Sequence, residues 1–533
     1  MHRVPGLSLH ADQTPRRALT HLRSAWLRWA LVGAVVMLIA GQASGQGEQP
    51  SHAAADRAAV QRLRQAAVPT DQRKADAAIR ALRYLQDPAL RPFFSALAKR
   101  EQPALRIHGL LGLAETRDPA RLKLNEIAAV QDGSVQAELI GAALDNDLLQ
   151  QKTMRKMLDW PGLPAGPKVL LAVRLIGDGG FEKTGVLRDA LNQNNPRRRA
   201  LAALLLHQIG ELEEWQKQAK LGSLDHSQRR TAAITLLRVA LEHRLDRSAP
   251  WAHQASENEA YSPRVQRLAL RAAIRFGNRP SVATWAERFR RTTNPADRMR
   301  LALLGLRLSP WLEPGDLAPL AETGDPLFRK IASAGHAIAR DDAELVDRVL
   351  TLIEANHRLI NQWALSYADD QASPKHARFI FLGIILTGRH ADEKTLARRL
   401  QLIAQATQLL YKHVPDRAPR LIRPLLEKHR DKPHLLQGML LGLVRSRQPT
   451  VAKTIRSLKP FANLRAANLA VLARAGTDLP LTAADRTDLR TIVQGGGPLK
   501  PSLRVQAAWW YLKRTGRLKS ALQRVLRETS PQP

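Results

Sequence analysis

Apolar and polar positions alternate with a helical period through most of the chain, and Gly324 to Ile353 shows the pattern clearly. Asp325 followed by Pro326 is typical of a helix start, because aspartate caps the first free N–H groups and proline lacks the one that would stay unpaired. Asp341 and Asp342 then mark a turn. Apolar residues recur every three or four positions on both sides of it, at Leu327, Phe328, Ile331, Ala334, Ile338, Leu345, Val346, Val349, Leu352 and Ile353. The pattern predicts two amphipathic helices that bury their apolar faces against neighbouring layers.

This two-helix unit recurs along the chain. A basic or amide residue occupies the first turn of each predicted unit, at Arg106, Gln136, Lys168, Arg199, Arg230, Arg267, Arg298 and Arg329. The intervals between these positions are 30, 32, 31, 31, 37, 31 and 31 residues. A proline stands three residues before the basic residue in four of the units, at Pro103, Pro196, Pro295 and Pro326. Self-similarity at such a period is typical of stacked repeat proteins.

The pattern Asp/Asn-Pro-x-x-Arg-x-x-Ala resembles HEAT-like repeats, in particular the short variety named after phycobilisome lyases. Asn294 to Ala302 and Gly324 to Arg329 carry the resemblance best, and it covers roughly residues 100–360 well. It implies an all-α fold, a right-handed α-solenoid of stacked helical hairpins with a period of about 31 residues. We expect an elongated, open stack. Members of the family mostly scaffold or bind proteins, and their recurrent arginine tends to join neighbouring repeats, which implies a structural role for Arg106, Arg199, Arg298 and Arg329.

The chain divides into five predicted segments. Residues 1–45 form a targeting segment, 46–56 a polar linker, and 57–399 the repeat solenoid. A polar loop is expected as an insertion between Trp251 and Tyr261, where the interval lengthens to 37. Residues 400–433 contain four prolines and are expected to be irregular, and 434–533 form C-terminal helical repeats with a polar terminal cap.

The N-terminal segment has the layout of a secretory signal. A basic region precedes an apolar run of 11 residues, Ala30 to Ala40, and Ala43-Ser44-Gly45 fits the small residues before a cleavage site. The run is short for a membrane span, which needs about 20 residues, so we favour cleavage near Gly45 over an uncleaved anchor that would contact the membrane. Either interpretation places the rest of the chain outside the cytoplasm, in the periplasm or an equivalent compartment.

Charge indicates the kind of partner. The 82 basic and 48 acidic residues give a net charge of +34, which favours contact with polyanions without specifying one. Equivalent positions of stacked repeats align in space, so we expect a cationic ridge that binds an acidic protein or an anionic polymer of the cell envelope. The candidate residues are Arg197, Arg198, Arg229, Arg230, Arg264 and Arg267. The competing interpretation is that these arginines are solvated or joined to neighbouring repeats.

Motifs for chemistry are weak. The chain has no cysteine, which excludes disulfides and thiol nucleophiles, and neither a nucleophile elbow nor a His-Glu-x-x-His motif occurs. We therefore expect no catalytic residues, no metal and no cofactor, and a non-enzymatic scaffold or binding function. Two alternatives stay open. One is nucleic-acid binding similar to that of HEAT-like-repeat DNA glycosylases, which the export signal opposes. The other is a lyase-like enzyme, suggested by the repeat subtype alone.

Overall fold

The computed structural model describes residues 52–67 and 72–529, apart from 180, 194, 213–225, 356, 388–390, 447, 457, 478 and 496–498. Those residues form 28 α-helices and no strand, which confirms the all-α prediction at this level. The predicted targeting segment 1–45 lies outside the described residues. Among the described helices, none combines the length and apolar character that a bilayer crossing requires.

The helices are numbered α1 to α28 in chain order. The first fourteen are α1 (His52–Ala67), α2 (Gln72–Arg83), α3 (Arg91–Ala98), α4 (Pro103–Glu115), α5 (Leu124–Ala128), α6 (Gly133–Asp145), α7 (Gln151–Leu158), α8 (Ala165–Gly177), α9 (Thr184–Leu191), α10 (Pro196–Gln208), α11 (His226–Glu242), α12 (Ala249–Glu257), α13 (Pro263–Arg275) and α14 (Arg279–Arg291). The others are α15 (Pro295–Leu308), α16 (Ala318–Ala321), α17 (Pro326–Arg340), α18 (Leu345–Glu354), α19 (Arg358–Asp370), α20 (Pro374–Leu386), α21 (Glu393–His413), α22 (Ala418–Lys428), α23 (Pro433–Ser446), α24 (Val451–Ile455), α25 (Leu464–Ala475), α26 (Ala483–Gln494), α27 (Pro501–Arg514) and α28 (Leu518–Thr529). Short 3₁₀ turns occur at Pro88–Leu90, Asp246–Ser248, Ser309–Trp311 and Pro314–Leu317.

By contact density the chain divides into Met1–Ala55, of which only 52–55 are described, and the compact unit Asp56–Pro533. Within this unit, helices that follow one another pack together, as α17 and α18 do. Asp325 caps α17 by accepting from the Leu327 N–H at 2.7 Å, and Asp341 ends the helix with a left-handed φ of 49°. Both helices bury the apolar faces that the sequence pattern predicts.

Packing between successive layers is close enough to require glycine. Trp285 of α14 is fully buried, and its Nε1–H donates to the Leu301 carbonyl of α15 at 2.9 Å. A side chain at Gly305 would place its Cβ 2.3 Å from the Trp285 ring, so only glycine fits there. The Arg298 guanidinium lies over the rings of Phe289 and Phe328, at 5.1 and 5.5 Å from their centres. This arginine therefore contacts aromatic rings of both α14 and α17.

The last helices of the compact unit pack against the first ones. Asp87, which is buried, accepts from Trp509 Nε1 at 3.0 Å and from Lys513 Nζ at 2.6 Å. Gln506 Nε2 donates to the Ala81 carbonyl at 3.1 Å. Asp56 accepts from the Tyr511 hydroxyl at 3.1 Å and pairs with Arg517. The expected open, elongated stack is therefore wrong, because α27, near the C-terminal end, packs against the N-terminal helices.

Three of the predicted segments also differ from the structure. The segment 400–433, expected to be irregular, lies mostly in α21 and α22. Pro419 and Pro433 stand at helix starts, where proline costs no hydrogen bond. Pro424 lies inside α22, and Pro415 lies in the turn before that helix. The linker expected at 46–56 is helical from His52 onward, and 46–51 lie outside the described residues. The loop expected between Trp251 and Tyr261 is mostly the helix α12.

A polar network lies near the N-terminal end of the compact unit. Arg83, which is buried, holds both carboxylate oxygens of Glu115, with Nε–Oε2 at 2.9 Å and Nη2–Oε1 at 2.5 Å. Its Nη1 lies 3.0 Å from His108 Nδ1, so the imidazole accepts from the guanidinium and is neutral. Burial, together with the positive charge of Arg83, lowers the pKa of His108 to about 4.

The contact between the chain ends can be tested by substituting Asp87. Asp87→Ala leaves the buried Trp509 N–H without its acceptor, so opening of the ends becomes easier by about 2–4 kcal/mol. Hydrogen exchange followed by mass spectrometry is then expected to speed up in 72–83 and 501–514 together. Asp325→Ala is the matched control, since it removes a helix cap worth about 1 kcal/mol and affects only the region of α17. Faster exchange in only one of the two end segments would contradict the packing of the two chain ends against each other.

His108 predicts a dependence of stability on pH. Its folded pKa of about 4 lies below the ordinary value of 6.5, so the folded state disfavours protonation. The contribution is complete above pH 6.5 and is lost as the pH falls from 6.5 to about 4, on the order of 3 kcal/mol in total. Urea unfolding is expected to show this loss as a difference between the wild type and His108→Gln, whose amide oxygen still accepts from Arg83. If the free energies of unfolding of the two proteins change in parallel with pH, the contribution of His108 is excluded.

Candidate anion-binding site

A cavity of about 700 Å³ is lined by seven arginines and one glutamate, and we call it the arginine cavity. Helices α11, α13 and α15 form its wall, with Leu359 of α19 at one side. Its charged residues are Arg238, Glu242, Arg264, Arg267, Arg271, Arg275, Arg300 and Arg307.

The spacing of the arginines explains why they meet. Arg264, Arg267, Arg271 and Arg275 follow one another at intervals of three or four residues on α13, which places them on one face of the helix. The other face of α13 carries buried apolar residues, including Val265 and Ala269, that pack into the core. Packing of the apolar face thus turns the arginine face toward the cavity.

The cavity is electrostatically costly. Burial, followed by the repulsion of Arg307, lowers the pKa of Arg271, and Asp370 opposes this shift. Partial desolvation also lowers the pKa of Arg307, although this residue is exposed to solvent. Burial and the nearby charge of Arg271 lower the pKa of Arg275. A guanidinium stays charged at neutral pH even so, because its ordinary pKa lies far above neutrality. The folded chain therefore holds several cations with reduced hydration close together.

Acidic partners neutralise only part of this charge. Arg267 and Arg300 share the carboxylate of Asp297, at 3.2 and 2.9 Å. Arg275 lies over the ring of Trp311, at 5.1 Å from its centre. Among the described residues, four of the arginines make no side-chain hydrogen bond, ion pair or contact with an aromatic ring, namely Arg238, Arg264, Arg271 and Arg307. Guanidinium groups with free N–H donors in a concave site are suited to carboxylate or phosphate oxygens.

The structure brings two of the six predicted ridge residues into this cavity, Arg264 and Arg267. Arg198 is exposed on α10 and does not line it. The side chains of Arg197, Arg229 and Arg230 lie outside the described residues, although their backbones belong to α10 and α11.

Sequence reasoning missed the other five arginines of the cavity, Arg238, Arg271, Arg275, Arg300 and Arg307. The signal was present in the helical spacing. Arginines recur every three or four residues along α13, and Arg300 and Arg307 stand two turns apart on α15.

The arginines expected to have a structural role contact their own or neighbouring layers. Arg106 Nη2 donates to the Ala129 carbonyl at 2.9 Å, which joins α4 to the turn after α5. Arg329 Nη2 reaches the Gly324 carbonyl at 3.3 Å, at the start of its own helix. The Nε of Arg199 is buried without a hydrogen-bond partner in the described part of the chain.

One arrangement superficially resembles a catalytic triad. Ser281 Oγ lies 2.9 Å from His253 Nδ1, and His253 Nε2 lies 3.7 Å from Glu257. The Ser281 hydroxyl, however, donates to Asn278 Oδ1 at 2.8 Å, so it accepts from the imidazole instead of giving up a proton to it. Ser281 is also fully buried. The group therefore caps α14 and does not present a nucleophile.

Comparisons with known proteins add no family. The sequence matches no protein-family model, and no curated protein is similar to it. Within the described residues, no group of three or more His, Asp or Glu side chains is arranged to hold a metal ion.

Proposed function

We propose that this protein is a non-enzymatic binding protein that engages an acidic partner through the arginine cavity. The partner is an acidic protein segment or an anionic polymer of the cell envelope. The observation that carries the proposal is the set of four arginines, Arg238, Arg264, Arg271 and Arg307, that line one cavity without a neutralising contact among the described residues.

The folded protein already holds the arginines close together, and their attraction for an anion would supply the free energy of binding. The cost of bringing the arginines together is met when the chain folds, so an entering carboxylate or phosphate gains their attraction without ordering them. Apolar residues of the same wall, among them Leu303 and Leu304, reduce local hydration, which strengthens the attraction. The net charge of +34 would speed the approach of an acidic partner.

The helix pairs are proposed to be HEAT-like repeats of about 31 residues in a right-handed arrangement. The support is the recurrence of Pro and Arg at the starts of α4, α10, α15 and α17, together with the inter-layer contacts of Arg106 and Arg298. A protein of this kind presents the arginines of successive repeats on one surface.

An extracytoplasmic location is part of the proposal, and it rests on the basic and apolar pattern of 1–45. Fractionation of cells that express the full-length chain is expected to recover it outside the cytoplasm, shortened by about 45 residues if the signal is cleaved. Recovery of the uncleaved chain in the cytoplasm would contradict this location and would favour the nucleic-acid alternative.

The binding proposal is tested with model polyanions. We expect fluorescent polyglutamate or polyphosphate to bind the full chain more tightly at about 0.05 M than at about 0.2 M salt, because counterions screen the arginines. The double variant Arg271→Gln, Arg307→Gln is expected to weaken binding at least tenfold, which is about 1.4 kcal/mol. Fluorescence anisotropy measures both effects.

Arg348→Gln is the matched control, because it also removes an arginine but from an exposed pair with Glu344 outside the cavity. Equal affinities of the double variant and the control would refute the role of the arginine cavity. A parallel titration with duplex DNA separates the alternative: a tighter, cavity-dependent affinity for DNA than for either model polymer would replace the proposed partner by nucleic acid.

A further inference from the structure

A second cavity, of about 480 Å³, lies where the two ends of the compact unit meet, and we call it the closure cavity. One part of its wall comes from α2 and Tyr84, near the N-terminal end, and the other from α21, α23, α25 and α27. Its volume falls within the range of about 300–1,000 Å³ that small-molecule sites occupy. Because the wall exists only when the ends are together, a molecule bound there contacts both.

The charged residues of the closure cavity are all cationic. Arg80, Arg445, Arg465 and Lys500 line it. Arg445 Nη2 donates to Gln401 Oε1 at 3.0 Å, whereas the side chains of the other three make no hydrogen bond or ion pair within the described part of the chain. The lining contains no carboxylate among the residues that the structure describes. An anionic group is therefore the natural complement of this wall.

The closure cavity also contains a buried amide whose oxygen is a hydrogen-bond acceptor without a donor in the described chain. Gln437 lines the cavity with 5% of its surface exposed, and its Nε2 donates to Asn463 Oδ1 at 3.1 Å. Asn463 Oδ1 also accepts from the Ala466 N–H at 3.0 Å, where it caps α25, so this atom is an acceptor. The Gln437 atom that faces it must therefore be the nitrogen of the NH₂ group. This fixes the orientation of the amide. Its Oε1 then has no hydrogen-bond partner among the described residues, and a buried acceptor of this kind calls for a donor such as a hydroxyl.

Tyr84 provides a flat apolar surface. Its hydroxyl donates to the Arg445 carbonyl at 2.9 Å and accepts from Gln408 Nε2 at 2.9 Å, so the ring is held in place. The side chain is nevertheless 40% exposed and lines the cavity. An exposed ring fixed by its polar end is suited to packing against the C–H face of a sugar.

We propose that the closure cavity binds a small sugar anion, either a sugar acid or a sugar phosphate. The carboxylate or phosphate is bound by Arg80, Arg465 and Lys500, and a ring hydroxyl donates to Gln437 Oε1. The sugar ring packs on Tyr84. This site shares no residue with the arginine cavity, so it is independent of the function proposed above.

Isothermal titration calorimetry on the full chain tests the proposal with glucuronate, glucose 6-phosphate, glucose and inorganic phosphate. At least one of the two sugar anions is expected to bind ten times more tightly than neutral glucose and than phosphate alone. Gln437→Leu removes the acceptor at nearly constant size, and Arg465→Gln removes one unpaired cation. Each variant is expected to weaken the binding at least tenfold. The better of the two sugar anions identifies the acidic group as carboxylate or phosphate.

Arg271→Gln, in the arginine cavity, is the control and is expected to leave the sugar-anion affinity unchanged. Circular dichroism of Gln437→Leu establishes that a loss of binding does not reflect unfolding, and Arg465→Gln, at a partly exposed position, gives a second measurement if it does. The proposal is wrong if neither sugar anion binds, if inorganic phosphate or glucose binds equally well, or if both folded variants keep the wild-type affinity.

Discussion

The packing of α27 on α2 is the constraint on which the compact unit depends. A repeat array with free ends must cover its first and last layers with polar faces, because otherwise apolar surface meets water. This chain covers each end with the other. Trp509 is fully buried in that contact, and Asp87 receives both its indole N–H and the ammonium of Lys513. The contact joins residues more than four hundred positions apart, so the loop-closure entropy that opposes it must be offset by this burial and these charged hydrogen bonds.

Charged side chains form ion pairs in the direct contact between the chain ends, whereas, in the part of the chain that the structure describes, several stay unpaired in the two cavities. Where the ends meet, carboxylates face cations, as Asp56 faces Arg517. In the arginine cavity and the closure cavity, several cations have no such partner among the described residues, although Arg267 and Arg300 share Asp297. Desolvated like charges in one place destabilise a fold unless something offsets them, and binding sites are where proteins commonly keep such groups. This difference in charge pairing is the reason to regard the two cavities as candidate binding sites.

Local features were predictable from the sequence, and long-range ones were not. The start of α17 at Pro326 and its end at Arg340 follow from Asp325 and the left-handed Asp341, which act within a turn of the chain. The prediction of an irregular segment fails at Pro419 and Pro433, which stand at helix starts, and holds at Pro415, which lies in a turn. Proline at a helix start and proline in a loop look alike without the helix that follows. The arginine stripe of α13 is visible in the sequence once the spacing is counted. The closure is not visible, since no local pattern says which distant helix covers Trp509.

The closure also sets the order in which the chain can become complete. α2 emerges from the ribosome long before α27 has been made, and during this interval the surface that α27 later covers has no partner. Growing chains fold from the N-terminus as they appear, at about 5–20 residues per second. The early helices therefore wait tens of seconds with an uncovered apolar side, which makes them a binding site for chaperones and leaves any chain that stops before residue 501 without its final layer.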